Sequence, residues 1–291
     1  MPLPSALRSL TAAALALFST LAVGQPLKLD IYNPGHDAIF PVTSVLVTGD
    51  KDAILIDAQF GKAQAERVVE RIRKSGKHLT TIYISHGDPD YYFGLPALTQ
   101  AFPDAKVLAS APTVAHIRKT MDAKLAFWGP RMGADAPSKL VVPEAIEGDI
   151  LKLEGQSLNI MGLNGPQPDR SFVWIPSIKA VVGGVVLANN IHVWMADTQS
   201  AKSHTDWLAT LATIEKLQPT TVVPGHFLPG QLSQEQSPAF TASYIRAFDE
   251  ETAKAANSAE LIKAMKARYP SLGDESSLEL SAQVAKGERQ W

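Results

Sequence analysis

Short apolar stretches alternate with longer amphipathic ones along most of the chain. Apolar residues at 27–32, 44–48 and 53–56 predict three strands, and a Gly-Asp turn joins the last two as a hairpin. In residues 63–75 the apolar side chains recur every three or four positions, which predicts a helix that ends at Gly76. This order of strands and helix indicates a mixed α/β domain.

The alternation of strands and helices continues through the rest of the chain. A strand leads into a polar loop at His86, another covers residues 106–110, and a helix runs from Pro112 to about residue 125. Later strands are predicted at residues 151–153, 158–161, 171–175, 180–182 and 220–223, with a helix that begins at Ser203 and a helical tail from about residue 236. Two such blocks predict two packed sheets with helices on the outer faces.

The first 24 residues differ from the remainder in composition. They hold a single cation, Arg8, then an apolar run of about 14 residues and small residues at Ala22 and Gly24. This pattern predicts a signal peptide over residues 1–24, and it leaves one domain over residues 25–291 that is periplasmic or secreted. The alternative is an uncleaved anchor, but the run is short for a membrane span of about 20 residues. No later apolar run is long enough to span a membrane.

Composition excludes several kinds of chemistry. The chain has no cysteine, which rules out disulfides, thiolate metal ligands and a cysteine nucleophile. Its formal net charge is −2 and it has no Lys/Arg run, so nucleic-acid binding has no electrostatic support. We therefore expect a small-molecule substrate and no nucleic-acid partner.

The loop after the strand at residues 81–84 carries the strongest chemical pattern. His86, Asp88 and Asp90 occupy alternate positions directly after an apolar strand. Ligands bind at strand ends in layered α/β folds, and His with carboxylates at close spacing is typical of metal sites. The alternative is a hydrogen-bonded cluster without metal, in which Asp88 is an exposed carboxylate or a helix cap.

Four landmarks in order resemble the metallo-β-lactamase-fold hydrolases. They are Leu55-Ile56-Asp57, the loop from His86 to Asp90, Val181-Val182-Gly183-Gly184 and Val223-Pro224-Gly225-His226. The resemblance covers essentially all of residues 25–291 and implies an αββα sandwich of two mixed sheets, with a metal site at one edge between the sheets.

The metal-binding pattern of that family is only partly present. Its loop reads His-x-His-x-Asp-His, and His86 and Asp90 match two of these positions, while His226 matches the family's final His. Asp88 and Tyr91 stand where the family has two further His ligands.

Two other family ligands fall on glycines. The resemblance places Gly165 at a His position and Gly184 at the position of the metal-bridging Asp. If this alignment is right, Gly184→Asp combined with Gly165→His should raise metal affinity. The bridging carboxylate holds both ions of a two-metal site, so we expect one metal ion rather than two.

The resemblance implies an exported hydrolase of an ester, lactone or amide. Its single metal would be held by His86, Asp88, Asp90 and His226, with Asp90 orienting or deprotonating the attacking water. The oxygen-rich donor set would favour manganese or iron over zinc more than the family pattern does. The alternative is a non-catalytic relative without metal that binds a small molecule or a partner.

Residues around this loop are candidates for contact with the substrate. Tyr91, Tyr92 and His192 are predicted to line the pocket, although His192 has a structural role as its alternative. Asp57 is expected to bond to loop backbone beside the site. His116 has no neighbouring ligand in the sequence, so we expect it to be a surface or packing residue.

Overall fold

The computed structural model describes residues 25–291, and the predicted signal peptide lies outside this range. The strands are β1 (Lys28–Tyr32), β2 (Ser44–Thr48), β3 (Asp52–Ile56), β4 (His78–Ile84), β5 (Lys106–Ala109), β6 (Glu144–Ala145), β7 (Ile150–Leu153), β8 (Gln156–Met161), β9 (Phe172–Ile175), β10 (Ala180–Val182), β11 (Ala188–Asn189), β12 (Thr221–Val222) and β13 (His226–Phe227). The helices are α1 (Lys62–Ser75), α2 (Pro89–Tyr92), α3 (Leu95–Ala101), α4 (Ala111–Met132), α5 (Ala201–Lys216), α6 (Ser237–Lys254), α7 (Ser258–Arg268) and α8 (Glu275–Ala285).

The strands form two mixed sheets. The first has the order β1-β2-β3-β4-β5-β6, antiparallel from β1 to β3 and parallel from β3 to β6. The second has the order β12-β10-β9-β8-β7, with β10 and β12 parallel and the other neighbours antiparallel. A short parallel pair joins β11 to β13. The prediction of two mixed sheets is confirmed.

Apolar side chains form three buried layers that hold the sheets and helices together. Side chains such as Val47, Ile56 and Val182 fill the space between the two sheets. A second cluster packs α1, α3 and α4 against the first sheet, and a third packs α5 to α8 against the second. Each sheet therefore buries both faces, one against the other sheet and one against helices, which is an αββα sandwich.

Most predicted elements are present with shifted ends. The helix predicted at residues 63–75 is α1, and Gly76 ends it with a left-handed φ of 67°. The helix predicted to begin at Ser203 begins instead at Ala201, because Ser200 caps it and exchanges side-chain bonds with Ser203. Helix α4 continues past residue 125 to Met132. Within residues 25–291, the structure shows no helix with the length and apolar character needed to cross a membrane.

Candidate ligand-binding site

The site lies where strands of both sheets end. Strands β3 and β4 are parallel in the first sheet, as are β10 and β12 in the second, so each pair presents its carboxyl ends at one edge. Asp57 follows β3, His86 follows β4, Gly184 follows β10 and His226 follows β12. Residues far apart in the sequence therefore meet at this edge.

Asp57 connects the two sheet edges through Ser85. Its carboxylate accepts hydrogen bonds from the Ser85 N–H at 2.8 Å and the Ser85 hydroxyl at 2.7 Å, which confirms the expected bond to loop backbone. The Ser85 Oγ in turn accepts from the Gly184 N–H at 2.8 Å. Burial, which outweighs these hydrogen bonds, raises the pKa of Asp57 to about 7.

Asp88 is bound between two cations at the start of α2. One of its oxygens lies 3.1 Å from His86 Nε2, and the other accepts a hydrogen bond from Lys124 of α4 at 3.3 Å. It occupies the cap position of α2 but its side chain makes no capping bond. Burial works to raise the pKa of Asp88, but the charges of His86 and Lys124 outweigh it and hold that pKa well below its usual range.

Both ring nitrogens of His86 face oxygen acceptors. Its Nδ1 lies 3.0 Å from the backbone carbonyl of Asp169, which can only accept, and its Nε2 faces the Asp88 carboxylate. Burial lowers the pKa of His86, but the charge of Asp88 and the bond to it outweigh burial and raise that pKa. Donation to both acceptors requires a doubly protonated ring, and such a ring has no lone pair for a metal ion.

Asp90, His226 and Tyr91 form a second, separate group. His226 Nε2 lies 2.6 Å from Asp90 Oδ2, and His226 Nδ1 lies 3.2 Å from the Tyr91 hydroxyl. Burial, with the charge of Asp90, raises the pKa of Tyr91 well above its ordinary value, so the phenol stays neutral. Both nitrogens of His226 are therefore engaged by protein groups.

The residues present do not fit a metal centre as they stand. The four predicted ligands, His86, Asp88, Asp90 and His226, pair off into two hydrogen-bonded couples. Across residues 25–291, no three His, Asp or Glu side chains gather closely enough to hold a metal ion. Lys124 supplies positive charge to Asp88 directly.

Gly184 has no room for the bridging carboxylate that the alignment suggested there. Its φ is +83°, and an added Cβ would lie 2.3 Å from the backbone oxygen of Ser171. Since L residues are strained at this φ and the neighbour is backbone, the proposed Gly184→Asp replacement would distort the loop. The effect of the double replacement on metal affinity stays a prediction, and the crowding at Gly184 works against it.

A partly open cavity with a volume of about 50 Å³ lies beside the two couples. Its polar wall includes Asp88, Asp90, Lys124 and His226. Five aromatic side chains also line it: Phe40, Trp128, Trp194, Trp207 and Trp291. A concave, mostly apolar site with a few polar groups is the usual form of a small-molecule site.

The three residues predicted to contact a substrate occupy different positions relative to the cavity. The Tyr91 hydroxyl bonds to His226 directly behind the cavity wall. Tyr92 is fully buried against Phe93. His192 is buried, and its Nδ1 lies 3.0 Å from the hydroxyl of Tyr244 on α6, so the structure does not bring it to the cavity wall.

His116 lies closer to the site than the sequence suggested. Its Nε2 is 3.9 Å from an Asp88 oxygen, and its Nδ1 is 3.7 Å from an Asp169 oxygen. The expectation of a histidine without neighbouring ligands is wrong, because α4 packs across the loop and brings His116 and Lys124 to it. Burial lowers the pKa of His116 more than the neighbouring carboxylates raise it.

Three residues of the site carried no signal in the sequence. Lys124 lies on α4, Arg170 precedes β9, and Trp291 belongs to the segment after α8. Trp291 and Trp194 donate their indole N–H groups to the two oxygens of Asp197, at 2.6 and 2.5 Å. Each residue reaches the site by tertiary packing, and none belongs to a local pattern.

Comparison with known proteins gives a family match over residues 38–226, which correspond to the "Metallo-beta-lactamase superfamily" model. This range runs from before β2 to His226 and contains both couples, the whole second sheet and the first sheet except β1. The chain belongs to the metallo-β-lactamase superfamily. Membership supports a hydrolase-type function in general, and zinc binding is typical of this superfamily.

Individual relatives of this superfamily member are distant. The chain is 34% identical over 73 residues to the uncharacterized protein YobT of Bacillus subtilis (strain 168), a stretch that spans 25% of this chain and only 31% of YobT. Among solved structures, the metallo-β-lactamase family protein TTHA1429 from Thermus thermophilus matches with a TM-score of 0.63 and 15% identity, over 90% of this chain and 91% of that one.

The metallo-β-lactamase FIM-1 from Pseudomonas aeruginosa, solved in a mono-zinc form, matches with a TM-score of 0.54 and 16% identity, over 76% of this chain and 90% of that one. At these identities, the structural matches show that the fold is shared.

Proposed function

We propose that this protein binds a small, largely apolar organic molecule in the aromatic cavity and that it does so without a metal ion. The observation that carries the proposal is the pairing of His86 with Asp88 and of His226 with Asp90 beside that cavity. The proposal also includes export, so the working protein would be residues 25–291 in the periplasm or outside the cell.

The pairing supports a metal-free state on energetic grounds. A metal ion at His86 would have to displace a proton and break the bond to Asp88, which would leave Lys124 with an altered partner. Metal ligation needs an unprotonated ring nitrogen, so a metal ion competes with the proton that bonds His86 to Asp88. FIM-1 has been solved with one zinc, but at 16% identity that likeness extends to the fold alone.

The metal-free part of the proposal is tested by elemental mass spectrometry on protein purified without chelator. We expect zinc, manganese and iron well below one ion per chain, and no change in melting temperature on adding zinc. A bound metal at a hundred times its Kd would stabilise the fold by about 2.7 kcal/mol, which is easily detected. About one metal per chain, lost in His86→Ala and His226→Ala, would overturn the proposal.

The binding part is tested by calorimetry and ligand-observed NMR with indole, benzamide and 2-naphthamide. We expect binding that weakens about tenfold in Trp194→Ala, because one aromatic contact is worth about 1.4 kcal/mol. Trp174→Ala is the matched control, since Trp174 lies on β9 and packs with the third core cluster. No binding by any probe, or equal weakening in both variants, would contradict the proposal.

Hydrolysis is the second candidate function, and one observation favours it. Asp90 and His226 both line the cavity and are joined at 2.6 Å, so a carboxylate oriented by an imidazole faces bound molecules. Such a pair is able to accept a proton from water that attacks an ester or lactone. The superfamily's general hydrolase character supports the same candidate.

The hydrolase candidate is tested with p-nitrophenyl acetate and dihydrocoumarin. If it is right, Asp90→Ala and His226→Ala abolish turnover and leave the melting curve cooperative. His78→Ala is the control, because His78 forms an exposed pair with Asp52 at 3.1 Å at the opposite end of β4. Turnover that both site variants retain would remove Asp90 and His226 from the mechanism.

A further inference from the structure

The aromatic side chains of the cavity contact one another edge to face. The ring centroid of Phe40 lies 5.1 Å from that of Trp128 and 5.9 Å from that of Trp194, with interplanar angles of 81° and 84°. The rings of Trp194 and Trp291 follow at 5.3 Å and 70°. All four residues line the cavity. Aromatic surfaces of several orientations therefore adjoin one partly open space.

Cations of the protein itself lie on two of the five cavity rings. The ammonium of Lys124 is 5.0 Å from the ring centroid of Trp291, and the guanidinium carbon of Arg170 is 4.4 Å from that of Trp207. An aromatic face attracts a cation because its π system is negative there. Within residues 25–291, no Lys or Arg lies over the other three cavity rings in this way. Those three rings are free to contact a cation of a ligand.

The charged side chains that line the cavity are mostly acidic. Four Asp residues line it, against one Lys and one His. Asp88 is paired with Lys124 and His86, and Asp90 with His226, as described above. Asp197 and Asp274 accept hydrogen bonds from neutral groups, and neither forms an ion pair with a described residue. The unpaired charges of the lining are therefore both negative.

Asp197 lies directly against the aromatic wall. Its two oxygens accept hydrogen bonds from the indole N–H groups of Trp194 and Trp291, at 2.5 and 2.6 Å. These bonds hold the carboxylate beside two cavity rings, and each oxygen keeps a further lone pair. Lys124 and Arg170 act on Asp197 only from beyond ion-pair distance. A carboxylate beside aromatic rings is a suitable environment for an ammonium group.

We infer that the cavity binds the ammonium head group of an organic cation, with Asp197 as the counter-ion and the free aromatic rings as its contacts. This inference rests on the proposed function and specifies its ligand. The cavity is small and partly open, so the head group would enter while the rest of the molecule extends toward solvent. A quaternary ammonium suits this wall because it combines positive charge with apolar methyl groups and has no N–H that needs an acceptor.

The test compares cations with neutral molecules of nearly the same shape. The pairs are choline with 3,3-dimethylbutan-1-ol and benzylammonium with benzyl alcohol, measured by calorimetry at low ionic strength. We expect the wild-type protein to bind at least one cation about tenfold more tightly than its neutral partner, through cation–π contact and the carboxylate together. Added NaCl should reduce this preference, because salt screens the charges.

Variants at Asp197 test its role as the counter-ion. Asp197→Asn removes the charge but keeps an oxygen that accepts from an indole N–H, so it should lose most of the preference and retain binding of the neutral partner. Asp104→Asn is the matched control, because Asp104 is exposed and does not line the cavity. It should keep the full preference. Asp197→Glu keeps the charge and should retain part of the preference, which provides a reading if Asp197→Asn does not fold.

A variant of Trp128 separates attraction by the ring from apolar contact. Trp128→Leu keeps an apolar side chain but removes the aromatic face. It should weaken choline binding about threefold more than binding of 3,3-dimethylbutan-1-ol, as expected for one cation–π contact. Equal weakening of both probes would show that Trp128 makes only an apolar contact and would overturn its part in the inference.

The remaining outcomes distinguish this inference from the proposed function. Equal or tighter binding of the neutral partners by the wild type would overturn the cationic ligand while cavity binding stands. A preference for cations that survives in Asp197→Asn would overturn the assignment to Asp197 and point to Asp274. Failure of every cation and every neutral probe to bind, including indole and the two amides above, would overturn the cavity function and this inference with it.

Discussion

Asp57 holds the loop that carries His86 by accepting two hydrogen bonds from Ser85, although it is fully buried. Its φ of 64° places it in the left-handed region, where Asp and Asn are the tolerated side-chain residues. Burial raises its pKa to about 7, against an ordinary value of 3.8. The folded protein therefore binds a proton at Asp57 more tightly than the unfolded chain does.

The raised pKa of Asp57 predicts a pH-dependent loss of stability. Its contribution is fully present below about pH 4 and is lost as pH rises toward 7, because the unfolded carboxyl ionises first. Since one pKa unit corresponds to about 1.4 kcal/mol, we expect the loss to be on the order of 4 kcal/mol. Asp57→Asn should abolish this part of the pH dependence in urea unfolding curves.

The control for this measurement is Asp104→Asn, which changes an exposed carboxyl and should follow the wild-type pH curve. In Asp57→Asn, the new amide oxygen would still accept from the Ser85 N–H, so a folded variant is expected. A pH dependence in Asp57→Asn equal to that of the wild type would show that another group causes it.

At the scale of single elements, the backbone of the loop after β10 lies very close to neighbouring segments, including the loop after β4. The Gly184 N–H donates to Ser85 Oγ, and the position of its missing Cβ is 2.3 Å from the Ser171 oxygen. Gly148 has a nearly identical φ of +80° but nothing within 4 Å of the same position. A comparison of the two positions therefore distinguishes the effect of backbone strain, which both share, from that of crowding, which only Gly184 has.

Alanine at these two glycines should therefore have unequal effects. Gly148→Ala should cost about 1–2 kcal/mol, the usual penalty for an L residue in the left-handed region. Gly184→Ala adds overpacking of about 1–3 kcal/mol to the same penalty, so we expect about 2–5 kcal/mol in total. Equal losses in chemical unfolding of the two variants would contradict the crowding at Gly184.

The order of the elements could largely be predicted because it depends on local patterns, whereas the ends of several elements are shifted. Periodic apolar residues define α1, and Gly76 stops it. The extension of α4 to Met132 was missed because its last turns depend on distant contacts, such as Trp128 against Phe40 and Phe60. Contacts of this kind leave no periodic trace in the sequence.

Only part of the site could be predicted from the sequence, because distant contacts also determine its hydrogen bonds. The edge where His86, Asp90 and His226 meet follows from strands that end at landmarks of the family. The hydrogen bonds of the site do not follow from these landmarks, because they depend on distant partners. Lys124, for example, bonds to Asp88 from 36 residues away. The ligand list from the sequence therefore named residues that lie at one edge of the sheets, but it could not give the hydrogen bonds between them.

For the whole molecule, the segment after α8 returns to the cavity and joins three distant parts of the chain. Trp291 donates to Asp197, which is 94 residues away, and its ring lies 5.3 Å from that of Trp194. Lys124 of α4 stands over the same ring, with its ammonium 5.0 Å from the centroid. Trp291 thus links α4, the Asp197 loop and the segment after α8 at the cavity wall.

Removing this link should loosen the cavity more than the fold. We expect Trp291→Ala to cost about 1–2 kcal/mol of stability, through lost aromatic and cation–π contacts. It should also speed dissociation of 2-naphthamide by about tenfold in stopped-flow measurements, since about 1.4 kcal/mol corresponds to that factor. Trp291→Phe keeps an aromatic ring but loses the bond to Asp197. Its dissociation rate should therefore lie between those of the wild type and Trp291→Ala. Unchanged dissociation in Trp291→Ala would show that Trp291 is a surface contact with no part in holding the ligand.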